Sequence, residues 1–317
     1  MQAISRRGFI GGVAMAGMAG MMAMAGAGAA PRPGGPAAAA APRRIALRGG
    51  PAVPALGMGS WHLGQGRHPA AQEIQALRTG LELGLDLIDT AEMYGDGAAE
   101  RLIGQAIQGT RRPYLVSKVL PSHADTRGVA RACDASLRRL GVERLDLYLL
   151  HWRGRVPLAE TVAAFEALRA AGKIAAWGVS NFDVADMEEL WRVPDGERCV
   201  VDQVLYNVGS RGIEFDLLPW CQRHQVTVMA YSPLGSRALL GNAVLARIAA
   251  RHGVDAPAVA LAWAIRSGRV IAIPESGSPG HVRANATALS LRLAAADLAE
   301  LDAAFPPPTR KQPLDVL

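Results

Sequence analysis

Four residues at three places carry the first chemical signal. In "GLDLIDTAEMYGDG" (84–97) an apolar run, Leu85 to Ile88, stops at Asp89, and Tyr94 follows five residues later, just before Gly95. Further on, "LVSKV" sets Lys118 where an apolar run stops, and "LYLLHW" sets His151 directly behind Leu149 and Leu150. A buried ammonium is costly unless it is paired, and Asp89 is a suitable partner. A cation beside a phenol favours the phenolate, so Lys118 is expected to bring Tyr94 below its ordinary pKa of about 10. A phenol tuned in this way can give a proton to a substrate oxygen or take one from it, while His151 hydrogen-bonds and orients the same oxygen. That chemistry is the addition of hydride and a proton across a carbonyl. Each residue alone has an ordinary alternative: Asp89 as a helix cap, Lys118 snorkelling to solvent, His151 as a satisfied core histidine, Tyr94 as surface packing. The set acquires meaning only if the fold brings three strand ends together.

The elements that would do so can be read along the chain. "RIALRGGPAVPAL" reads as a hairpin turning at Gly49-Gly50. Eight strand candidates follow, at Gly57–Ser60, Leu85–Ile88, Tyr114–Ser117, Leu145–Leu150, Ala175–Val179, Val200–Leu205, Val226–Ala230 and Val270–Ile273. Between them lie stretches with apolar residues at helical spacing, such as Ile74, Leu77 and Leu81, and several close on a glycine (Gly84, Gly141, Gly172). Eight βα units predict an α/β chain folded as a closed (β/α)8 TIM barrel, preceded by an N-terminal β-hairpin. An open doubly wound sheet is the competitor. "GMGSWH" (57–62) begins like a dinucleotide fingerprint but lacks its third glycine. In such a barrel the site lies at the C-terminal strand ends, which here carry Asp89, Lys118, His151, Ser180-Asn181, Gln203, Tyr231-Ser232 and "PES" at 274–276.

Composition narrows the classes of function. The chain has 317 residues, 50% of them hydrophobic, enough for one large core. The formal charge is +6 and the pI about 9.6, yet basic residues are scattered and often sit beside acids, so no nucleic-acid partner is expected. Cys133, Cys199 and Cys221 form no CxxC pair, and neither a disulfide framework nor a metal site is predicted; HxH and HExxH spacings, which a metal-dependent hydrolase would need, are lacking.

"LIDTAEMYG", "LVSKV" and "LDLYLLHW", in this order and at these spacings, resemble the aldo-keto reductases, and the likeness runs from about Arg43 to Pro308. It implies a (β/α)8 barrel that binds a nicotinamide cofactor without a Rossmann domain, reduces aldehydes or ketones, and works as a monomer. It also implies a tetrad: Asp89 and Lys118 paired, Tyr94 as general acid, His151 orienting the carbonyl. By the same resemblance Ser180, Asn181 and Gln203 would hold the nicotinamide amide, Tyr231 would stack on its ring (with rim packing as the alternative), and Ser232 and Leu234 would line the pyrophosphate. Ser276, His281 and Asn285 fall where the family holds the adenosine phosphate and adenine. The chain departs from the family here. Where members that prefer NADP usually read "IPKS", this chain reads "IPES", so Glu275 replaces a lysine, His281 stands at an arginine position and Ala284 replaces an adenine-contacting acid. A carboxylate beside a 2′-phosphate is repulsive. The cofactor is therefore expected to be NADP(H) or NAD(H) with weakened preference for NADP, unless Arg283 swings in to the phosphate.

Trp61 and Trp152 would present apolar faces to a small carbonyl substrate at the barrel mouth, with His62 and Arg153 adding polarity. Only twelve residues, Pro306 to Leu317, follow the last helix pattern (Ala295 to Phe305), which predicts an open, permissive mouth.

Residues 1–30 read as an address. "SRRGFIGG" (5–12) and the uncharged run to Ala30 resemble a twin-arginine (Tat) export signal, with "AGAGAA" offering small residues for cleavage. Residues 31–42 read as a flexible linker and 43–317 as the barrel. The implied partner is the Tat translocation machinery and the implied location the periplasm, with an uncleaved membrane anchor as the alternative. That address keeps a second functional reading open, a cofactor-binding, redox-sensing regulatory subunit of a membrane protein.

Overall fold

The computed structural model describes residues 43–317; the predicted signal and linker lie outside the described residues. The chain opens with an antiparallel hairpin of β1 (Arg44–Ala46) and β2 (Ala52–Pro54), closed by a turn in which the Gly50 amide donates to the Leu47 carbonyl. Seven parallel strands follow in sequential order: β3 (Leu87–Asp89), β4 (Tyr114–Val119), β5 (Leu145–Leu150), β6 (Ile174–Ser180), β7 (Val201–Leu205), β8 (Thr227–Tyr231) and β9 (Val270–Ala272). The sheet curls in a manner consistent with a (β/α)8 barrel.

The predicted first barrel strand, Gly57–Ser60, is not a regular strand. It makes isolated parallel bridges to both edges of the sheet, Leu56 to Ala272 and Met58 to Ile88. The Gly57 amide donates to the Ala272 carbonyl and the Met58 amide to the Leu87 carbonyl. Glycine is needed at 57 because a Cβ there would come within 2.5 Å of Leu87 Cδ2. The predicted second strand also shifts. Its hydrogen-bonded part is Leu87–Asp89, since Gly84, at φ +83°, is still turning the chain out of the preceding helix (Ala70–Glu82).

The helices between strands follow from capping and periodicity. In Thr126–Leu140 the Asp125 side chain accepts from the Arg127 and Gly128 amides, and Gly141 ends the helix in the left-handed conformation. Val129, Ala132, Cys133, Ser136, Leu137 and Leu140 form its buried face at three- and four-residue spacing. Each leucine so buried contributes about 1.5–3 kcal/mol. The cysteines Cys133, Cys199 and Cys221 are all buried and unpaired. Among the described residues no helix is long and apolar enough to cross a membrane.

Candidate active site

The C-terminal ends of the parallel strands converge on a pocket of about 190 Å³ that Asp89, Tyr94 and His151 line together with Ser180, Asn181, Gln203 and Tyr231. Lys118 lies beneath it, inside β4 and fully buried. Its Nζ donates to Asp89 Oδ2 at 2.7 Å, to the Tyr94 hydroxyl at 3.0 Å and to the Thr90 carbonyl at 2.9 Å, so all three of its protons are used. The His151 ring meets the Tyr94 ring edge-on with centroids 5.7 Å apart. One phenol, one ammonium, one carboxylate and one imidazole thus share a single strand-end cluster.

Protonation states follow from this geometry. Burial acts to lower Lys118, but Asp89 and Tyr94 together outweigh it and hold the ammonium above its ordinary range. Burial pushes the Asp89 carboxyl up, while Lys118 and the Gln203 amide pull it down; 2.7 Å from a buried cation, the ionised form is the one we assign. His151 is brought down to about 2, first by burial and then by the Lys118 charge, so it is a neutral imidazole at any working pH. Its Nδ1 is buried without a partner, which leaves the other ring nitrogen for the pocket. Tyr94 departs from the sequence expectation. Its pKa is raised, because burial costs the phenolate more than Lys118 restores and the Asp89 charge adds to that cost. Tyr94 therefore rests as a phenol, a proton donor, with a cation placed to stabilise the anion left after donation.

The residues expected at a nicotinamide are brought to the same pocket, interlinked. The Tyr231 hydroxyl donates to Asn181 Oδ1 at 2.9 Å, Asn181 Nδ2 donates to the His151 carbonyl at 3.2 Å, and Ser180 Oγ donates to the Gln203 carbonyl at 2.7 Å. Gln203 has a second partner: its Nε2 donates to Asp89 Oδ1 at 2.7 Å, so it also steadies the tetrad. Asn181 and Ser232 both adopt left-handed backbone (φ +59° and +47°), a cost of about 1–2 kcal/mol per residue that places strain at the site. Ser232 and Glu275 line both this pocket and a second groove of about 590 Å³, along which lie Leu234, Ser276 and His281. The two adjoin through these shared residues, an elongated arrangement suited to a dinucleotide cofactor. Asn285 is buried and is not part of the groove lining. Arg283 donates to Thr79 Oγ1 at 3.4 Å and is likewise absent from it.

Trp61 and Trp152 line the pocket and remain 44% and 39% exposed, as flat faces open to a substrate must be. Arg153 contributes nothing there, since it is paired with Glu189. The mouth keeps both tryptophans part-exposed, and the chain's tail reaches its rim. The tail folds back, Lys311 pairing with Asp216 at 3.4 Å and Ser210 Oγ donating to Asp315, and Leu317 lines the pocket. Met93 is a further wall not singled out in the sequence, although it lies between Asp89 and Tyr94.

A curled parallel sheet with this cluster at its carboxyl ends defines a class, and the chain matches it: residues 55–305 fit the aldo/keto reductase family model, and the protein belongs to that family. It is an oxidoreductase that reduces carbonyls with NAD(P)H. The chain is 51% identical over 281 residues to methylglyoxal reductase YeaE of Escherichia coli K12, covering 87% of this chain and 99% of that one. It is 32% identical to a glyoxal reductase of Bacillus subtilis over 264 residues, covering 82% and 91%. An aldo/keto reductase of Klebsiella pneumoniae, solved in complex with NADP and acetate, superposes with a TM-score of 0.85 at 50% identity, covering 87% of this chain and all of that one. None of these relatives supports the regulatory-subunit reading.

Proposed function

We propose that the protein reduces small, uncharged α-dicarbonyl compounds of the methylglyoxal type, with Tyr94 as the proton donor. The observation that carries this reading is the Lys118 ammonium held between Asp89 and the Tyr94 hydroxyl at 2.7 and 3.0 Å. The bound nicotinamide supplies the hydride, which no side chain can do. The substrate oxygen sits between the Tyr94 hydroxyl and neutral His151, which directs it without donating a full charge. As the carbonyl carbon gains its hydride, negative charge grows on that oxygen, and the Tyr94 proton passes to it. The Lys118 cation stabilises the resulting phenolate, Asp89 and Gln203 hold Lys118 in place, and solvent returns the proton to Tyr94. The pocket is small, and Trp61, Met93, Trp152 and Leu317 give it apolar walls, which favours a compact uncharged substrate. The resemblance to a methylglyoxal reductase at 51% identity supports the same class.

Product analysis tests this. Incubation with methylglyoxal and NADPH deuterated at C4 is expected to yield a hydroxycarbonyl product carrying one deuterium on the new carbinol carbon, read by mass spectrometry. Bound nucleotide with no labelled product would overturn the reading.

We further propose that residues 43–317 form a complete eight-stranded, monomeric barrel with the Ala55–Ser60 segment as its first staff, and that residues 1–30 direct Tat export to the periplasm. The paired Arg6 and Arg7 before a Gly/Ala-rich run support the export reading. Replacing both arginines with lysine is expected to retain the protein in the cytoplasm on fractionation; unchanged distribution would refute it.

A further inference from the structure

β9 lies between β8 and the Ala55–Ser60 segment. The loop after β9 (274–277) therefore forms a floor, flanked by the loop at 61–69 on one side and the loop at 232–240 on the other. This is the groove of about 590 Å³ that continues from the tetrad pocket. Two carboxylates line it, each with an oxygen engaged by the neighbouring loop, while Glu73 Oε1 is buried without a partner. Glu275 Oε2 accepts from the His62 amide at 2.8 Å, with Oε1 3.2 Å from His62 Nδ1. Glu73, 1% exposed, accepts from the Gly64 amide at 2.8 Å. Each is aimed at the backbone of the 61–69 loop, which they tie down.

The cations of the groove are placed differently. Arg67 lies on that loop and Arg237 opens the short helix Arg237–Leu240 on the opposite bank; both are exposed. Among the described residues neither guanidinium has a hydrogen-bond or ion-pair partner. Arg211, Arg247 and Arg251, by contrast, are all held by carboxylates. The imidazoles of His68 and His281 line the groove as well. His68 is seated against Gly277, where a Cβ would lie 2.6 Å from its Cδ2.

We propose that Arg67 and Arg237 clamp the 2′-phosphate that distinguishes NADP(H) from NAD(H), replacing the cation absent at position 275. The inference rests on the groove being the adenosine end of the cofactor channel. Guanidinium groups bind phosphate through paired N–H donors, and two of them line this one groove from its two sides. Glu275 and Glu73 both line the groove and oppose an anion there, so the two guanidiniums must outweigh them. The clamp reverses the preference that Glu275 alone predicts from the sequence.

Calorimetric titration with 2′,5′-ADP and 5′-AMP tests the clamp without turnover. The full protein is expected to bind 2′,5′-ADP at least about tenfold more tightly, the lower end for hydrogen bonds to a charged group. Arg67→Ala/Arg237→Ala is expected to erase that ratio while leaving 5′-AMP within about twofold, whereas Arg283→Ala preserves it. Equal binding of the two nucleotides by the unmodified protein, survival of the ratio in the double variant, or its loss in Arg283→Ala would each overturn the clamp. A parallel loss for both nucleotides would also overturn it, placing the arginines on a phosphate common to NAD and NADP. If neither nucleotide binds, the adenosine reading of the groove fails with it, a result distinct from failure of the clamp alone.

Discussion

Acid is expected to destabilise this protein through His151, by an amount that the structure sets. The imidazole is brought down to about 2 in the folded chain by burial and then by Lys118, from an ordinary value of 6.5. A base whose folded pKa is depressed favours folding fully above its unfolded pKa and loses that contribution as pH falls, because the unfolded chain binds a proton that the native chain refuses. At about pH 5 the unfolded imidazole is almost wholly protonated and the folded one is not, a penalty of about 2 kcal/mol. Near pH 7.5 the same quantity is about 0.1 kcal/mol. Urea unfolding of the parent and of His151→Gln at both pH values isolates it. Any constant cost of the substitution cancels in the pH difference, and only the titration of residue 151 remains. The parent is expected to lose about 2 kcal/mol more than the variant between the two pH values. Equal losses would show that His151 protonates in the folded state, and the neutral role assigned to it would fall.

Two further outcomes follow from the packing. Lys118→Met leaves Asp89 buried with its cation removed, at a cost of about 3–5 kcal/mol. Adding Asp89→Asn is expected to return much of that stability without restoring activity, as thermal unfolding and turnover measured side by side will show. Gly178→Ala in β6 would place a Cβ 2.4 Å from the Val201 carbonyl of β7 and is expected to cost about 1–3 kcal/mol, seen as a lowered Tm.

The tetrad was legible because Asp89, Lys118 and His151 each interrupt an apolar run, a signal that survives in one dimension. Periodicity and terminal glycines marked helices such as Ala70–Glu82 and Thr126–Leu140 for the same reason. The Gly57–Ser60 segment kept its place but not its regularity, since bridging two sheet edges with glycines at 57 and 59 leaves few consecutive ladder bonds. What was illegible depended on long-range contact. The Glu275–His62 pair joins positions 213 residues apart, and no local pattern foretells that a carboxylate in "IPES" will be spent on a backbone amide. The fold-back of the tail to Leu317 is of the same kind. The direction of the Tyr94 shift was missed because charges can be read from the sequence, whereas the depth at which they are buried cannot.

Single-turnover reduction of methylglyoxal by NADPH, compared between the parent and Tyr94→Phe, probes proton donation by Tyr94 most directly. Removing the hydroxyl is expected to slow hydride transfer about 10²–10⁴-fold while NADPH affinity stays within about twofold. A variant that reduces the carbonyl as fast as the parent would contradict the account.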